Sequence, residues 1–181
     1  MVLPRQDHRA PELELTYPQG VPRRLSPALA VVHLIAAWFM VGLIWTIHVV
    51  HYPLFAEVGE ATYVAFQNAH VDRIGPLLAL PWAVEGITAA VILLIAVASR
   101  DRRLLPPAVI GAVAMGVVLV VSGFWSAPAH GELADGFDAD VHQRLMNADL
   151  VRTLAWTVRG FTAAWIVAIV WRRATRPTGT L

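Results

Sequence analysis

The sequence predicts an all-α integral membrane protein, a bundle of four transmembrane helices. Two observations carry this. The chain of 181 residues is 57% hydrophobic and only 15% charged, with a mean hydropathy of +0.58, which is too apolar for a soluble domain of this length. Its apolar residues collect in four runs, 28–52, 74–98, 105–127 and 151–171, each long enough to cross about 30 Å of hydrocarbon at about 1.5 Å per residue.

The placement of arginine orients the bundle. Arg5, Arg9, Arg23 and Arg24 precede the first run, Arg100, Arg102 and Arg103 separate the second and third, and Arg172, Arg173 and Arg176 follow the fourth. The opposite loops carry only Arg73 and Arg144, against eight carboxylates. The positive-inside rule therefore predicts both termini in the cytoplasm and the two longer loops outside. Formal net charge is +1, which argues against nucleic acid as a partner. There is no cysteine, hence no thiolate ligand or nucleophile, and no lysine, hence no Schiff-base chemistry.

Taken in order, residues 1–27 hold five prolines and four arginines and lack the apolar core of a cleavable signal peptide. They read as a cytoplasmic, partly disordered tail, with His8 incidental, and residues 173–181 read as a second cytoplasmic tail. The first run ends at Ile47-His48-Val49-Val50-His51-Tyr52-Pro53, where proline stops the helix. His48 and His51, three residues apart, are expected on one helical face. Beyond Pro53, the spacing of Phe55, Val58, Tyr63, Phe66 and His70 predicts a short amphipathic helix in the first outer loop, with Gly75-Pro76 opening the second span. The second outer loop, 128–149, turns at Asp135-Gly136 and becomes helical at Asp138, its N-cap. Small residues at four-residue spacing, Ala112/Gly116 and Gly160/Ala164/Ala168, suit close helix contact.

Five of the seven histidines, His48, His51, His70, His130 and His142, fall at the outer ends of the four spans. Neutral imidazole is the commonest metal ligand, and bundles build such sites from facing helices. This set is the candidate metal site. Glu85, the one carboxylate inside a run, and Arg159 lie at similar depth, where an ion pair is the plainest account. Glu85 serving as a ligand or proton carrier, and Arg152 with Arg159 binding an anion, are the functional alternatives. Trp156 lies on the same helical face as these arginines.

Gly42, His51-Tyr52-Pro53-Leu54-Phe55, Asn147 and Arg152-Thr153-Leu154-Ala155-Trp156 with Arg159 resemble small bacterial four-helix membrane proteins of unknown function. The pattern is also loosely similar to anthrone-oxygenase-like membrane proteins. The resemblance implies a multi-pass protein of the bacterial inner membrane, oxygenating a lipophilic aromatic substrate, with Arg152 and Trp156 as site residues. Three function classes follow. One is a metal-dependent membrane oxidoreductase using copper, iron or zinc, with His51, His70 and His130 as core ligands and His48, His142 or Glu85 completing the shell. The second is a b-type haem electron carrier, with His51 and His130 on the iron and Arg73 or Arg152 on the propionates. The third is a non-catalytic subunit of a membrane complex or a metal-handling protein. Partners expected are the lipid bilayer, a lipophilic small molecule and a second copy or complex subunit.

Overall fold

A computed structural model describes residues 24–175. The expectations for residues 1–23 and 176–181, His8 among them, lie outside the described residues. Five α-helices make up the fold: α1 (Pro27–Thr46), α2 (Glu60–Ala98), α3 (Leu105–Val121), α4 (Ala127–Leu133) and α5 (Ala139–Ala174). No strand occurs among the described residues. Four helical stretches, Pro27–Glu57, Glu60–Ala98, Leu105–Leu133 and Ala139–Ala174, are long and apolar enough to cross a membrane, so the chain is a multi-pass membrane protein.

The four long helices run up and down, each packing on two neighbours: α1 against α2 and α5, α3 against α2 and α5. Leu25, just before α1, and Val170, near the end of α5, meet Ile95, Ala96 and Leu104, so α1 begins and α5 finishes at one end of the bundle. Leu25 is buried there, which starts the packed domain a few residues before position 28. The outside of the bundle is apolar: Ile35, Leu80, Ile87, Leu94, Val113 and Phe161 are each more than 60% exposed. Water would not tolerate such a surface, and hydrocarbon does.

Local sequence explains the element ends. Pro27 opens α1 at a position whose N–H needs no partner. Asp138 caps α5 as expected, its Oδ1 accepting from Asp140 N and Val141 N at 2.9 Å. Gly136, at φ 151, makes the preceding turn in a region that side chains rarely enter.

Three sequence expectations change. The amphipathic segment after Pro53 is not a separate helix. Residues 53–57 form a 3₁₀ turn, and everything from Glu60 is the beginning of α2, which at 39 residues is about 58 Å long. Pro76 and Pro81 do not break it. Each removes one N–H, and the carbonyls left free, four residues back, belong to the exposed Asp72 and Leu77. The close helix contacts change on α3 alone. Gly160 is one, as expected, since a Cβ built there would meet Val41 at 3.0 Å; but nothing lies within 4 Å of one on Gly116, whereas one on Gly111 would meet Thr162 Oγ1 at 3.1 Å. Finally, the first run does not stop as an α-helix. Ile47–His51 is a wide π-type turn, closed by Tyr52 N–H donating to Ile47 O at 2.9 Å. A second such turn, Ser122–Ser126, precedes α4. Each wide turn ends two residues before a proline, Pro53 and Pro128, and the wider turn relieves the clash of the proline ring with the carbonyl four residues back.

At the end that carries the described termini, Arg173 donates to Asp101 at 2.8 Å, tying α5 to the α2–α3 turn. That hydrogen bond, with those from the backbone of Arg103 and Leu104, holds the Asp101 carboxyl down at about 2. Because the folded value lies below the unfolded one, the contribution is intact at neutral pH. It is lost as pH falls from about 4 to about 2. Melting in detergent between pH 5 and 2 should therefore fall more steeply for the native chain than for Asp101→Asn; parallel slopes would remove this tie from the account.

Candidate functional site

Polar side chains occupy the bundle interior in layers. The layer nearest the described termini joins all four long helices. Arg159 of α5 donates to Glu85 of α2 and to the carbonyl of Gly111 on α3. His33 of α1 lies 4.0 Å from the same Glu85 oxygen and bonds Thr88 Oγ1 at 3.0 Å. Glu85 and Arg159 are 0% and 1% exposed. They are thus the ion pair expected from their matched depth. His33, which reads as a lone histidine in sequence, belongs to this layer; its distance in sequence from Glu85 and Arg159 hides the contact.

A second layer sits higher on α5. Asp149, fully buried, accepts from His48 Nδ1 at 3.1 Å, and the Arg152 guanidinium lies 3.1 Å from its other oxygen as a charge contact. Trp156 separates this layer from the first. It is buried edge-on to Trp82, with the Arg159 guanidinium 5.4 Å from its ring. In sequence Asp149 is one of eight carboxylates in the outer loops; its role as counter-charge to both His48 and Arg152 requires α1 and α5 to be paired.

The third layer holds the other histidines. His51 Nε2 and His70 Nδ1 are 2.9 Å apart, so one imidazole donates to the other. That geometry requires at least one of them to be neutral. The His130 ring stands 5.3 Å from that of His70. Its Nε2 bonds the Tyr52 hydroxyl at 2.9 Å, and Gln67 Nε2 donates to its Nδ1 at 3.1 Å. His142 Nε2–H donates to the Tyr52 carbonyl at 2.9 Å. Phe55, Tyr63 and Leu133 are 0% exposed around the cluster, and Phe55 packs edge-on to both His51 and His70. Three buried atoms here have no protein partner among the described residues, His70 Nε2, Gln67 Oε1 and the Tyr63 hydroxyl.

The wide turn decides how the helix-1 pair divides. His48 and His51 do not share a face in use. The i→i+5 turn splays them, sending His48 to Asp149 on α5 and His51 to His70 on α2. The structure thus brings together His51, His70, His130 and His142 and sets His48 apart. Glu85 lies far from this cluster: its partner Arg159 is seventeen residues from His142 on α5, about 25 Å. It cannot complete a shell with these imidazoles. Trp156 and Arg159 share that remove, Arg152 is engaged with Asp149, and Arg73 is exposed on α2. Gln67 and Tyr52, which touch His130, are additions that sequence reasoning missed, since neither residue type signals a site by itself.

The pairing at the lower layer yields a test. Arg159→Leu leaves Glu85 buried without its counter-charge, an expected loss of about 3–5 kcal/mol. Glu85→Gln/Arg159→Leu should lose less than Arg159→Leu alone in reversible unfolding in mixed micelles. Simple additivity of the two single losses would mean that the residues act independently. Compared with known proteins, the chain matches no family, no curated protein and no solved structure.

Proposed function

We propose that the protein is a membrane metalloprotein, in which the imidazoles of His51, His70 and His130 bind a transition-metal ion. The observation that carries this reading is the 2.9 Å approach of His51 Nε2 to His70 Nδ1 inside an aromatic enclosure. Two nitrogens bound to one tetrahedral ion at about 2.05 Å stand roughly 3.3 Å apart, within a few tenths of that separation. Among the described residues no three His, Asp or Glu side chains stand close enough to hold an ion together. The third donor in this reading is His130, which adjoins His70 and exchanges its Tyr52 hydroxyl for the ion.

The surrounding residues suit that exchange. A ligating histidine ordinarily donates its second N–H to a carbonyl or carboxylate. Gln67 Nε2 also donates to the His130 carbonyl at 3.2 Å; turning over the amide gives up that bond, sets its unpaired Oε1 against His130 Nδ1–H and leaves His130 Nε2 free to ligate. Gln67 is then a positioning residue. Phe55, Tyr63 and Phe66 limit water, and His142 keeps Tyr52 in place through its carbonyl. Imidazole donors without thiolate suit copper, iron or zinc; bound copper or iron would supply one-electron redox chemistry. That makes oxidation of a lipophilic substrate, at the outer membrane face with both termini cytoplasmic, the activity this reading favours. A lateral groove of about 400 Å³ between Trp125 and Val151, on the bilayer side of α3 and α5, is of a size for such a molecule. A haem is less well suited. It needs imidazoles facing across a porphyrin, whereas His51 is engaged with His70 and His130 with Tyr52.

Elemental analysis and an absorption spectrum of protein loaded in turn with copper, iron and zinc test the proposal. One ion per chain is expected, lost in His51→Ala/His70→Ala. Gln67→Leu should retain the ion with about 10–100-fold weaker affinity. Metal content unchanged by the double substitution, or a stoichiometry far below one in every loading, would overturn it.

A further inference from the structure

The end of the bundle opposite the histidines carries a second feature. A cleft of about 440 Å³ opens between the α2–α3 turn and the last turns of α5. Its upper wall is arginine: Arg102, Arg103, Arg172 and Arg173. Its lower wall is apolar: Pro106, Trp165 and Ile169. Arg173 is already neutralised by Asp101. Among the described residues, no carboxylate lies within 4.0 Å of Arg102, Arg103 or Arg172. Three like charges held around one cleft repel each other unless an anion joins them.

From this we infer that the cleft is a binding site for an anionic phospholipid, with the phosphate on Arg102, Arg103 and Arg172 and an acyl chain along Pro106, Trp165 and Ile169. The arrangement follows the polarity of a lipid. Trp165, Ile169 and Arg173 succeed one another at four-residue steps on α5, so the apolar wall leads from the charged rim toward the middle of the span. Trp165 is 48% exposed, with none of the other described residues covering it, and offers an apolar face below the arginines. A free phosphate would use the arginines and leave that wall idle. The adjacent cleft, lined by Arg24, Ser99 and Asp101, carries mixed charge and serves as an internal control.

The test uses the full-length protein in neutral detergent, with binding read by native mass spectrometry and by the shift in melting temperature. Phosphatidylglycerol, phosphatidylcholine and inorganic phosphate are the probes. Phosphatidylglycerol should bind and stabilise. Arg102→Gln/Arg103→Gln/Arg172→Gln should weaken it about 100-fold, at roughly a factor of five per exposed arginine. Each single change should weaken it in proportion, which preserves the test if the triple variant folds poorly. Trp165→Ala should weaken phosphatidylglycerol, and Arg24→Gln should leave it unchanged. Equal stabilisation by phosphatidylcholine, or undiminished binding by the arginine variants, would overturn the inference. Inorganic phosphate binding as tightly as the lipid, regardless of Trp165, would replace a lipid site with a plain anion site.

Discussion

The buried pair of Glu85 and Arg159 is the interaction on which the bundle depends. α2 and α5 lie across the bundle from each other, and this pair joins them through its centre. α3 enters through the Gly111 carbonyl and α1 through His33. Hydrophobic attraction cannot select this arrangement, because lipid tails are as apolar as the leucines and valines of the helices. An uncompensated charge in hydrocarbon costs several kcal/mol, so every packing that separates Glu85 from Arg159 is disfavoured by at least that much. The pair thus sets the rotation and depth of four helices at once. Small residues then permit the approach: a side chain at Gly111 would press on Thr162, and one at Gly160 on Val41 and Trp38.

With that layer in place, the far end of the bundle is shaped by two prolines. Pro53 and Pro128 each follow a wide turn, after α1 and after α3 respectively. The first turn separates His48 from His51. The second leads into α4, which carries His130 toward Tyr52 and Gln67. Two similar backbone irregularities from two helices therefore aim imidazoles into one enclosure. Regular α-helix at either point would rotate one histidine away from the cluster. Such turns cost backbone hydrogen bonding, and their presence beside the convergent histidines is the physical link between the fold and the proposed site.

The layers also divide the candidate residues. His48 resembles a ligand by spacing, but Asp149 engages it, and Arg152 crowds the same carboxylate. Trp156 resembles a site residue by its place on a polar face, but it fills the space between two charged layers and stacks on neither histidine. A helical face is a one-dimensional property, and a site needs several faces brought to one point. Polar residues of one stripe on α5 therefore end in three different layers with three different neighbours.

The sequence by itself determined the membrane class, the number of spans, the cap at Asp138, the turn at Gly136 and the partnership of Glu85 with Arg159. Each follows from a local or one-dimensional rule: run length, capping chemistry, backbone freedom, and the cost of two lone charges at equal depth. Only the tertiary structure decided that α2 runs unbroken through Pro76 and Pro81, since packing on both sides outweighs two missing hydrogen bonds. It alone decided that Gly111 rather than Gly116 is the close contact, because that depends on helix rotation, which composition does not encode. It also divided the histidines, drawing His51, His70, His130 and His142 together with Gln67 and giving His48 to Asp149. That division rests on a wide turn of five residues, and no pattern of hydrophobicity marks one.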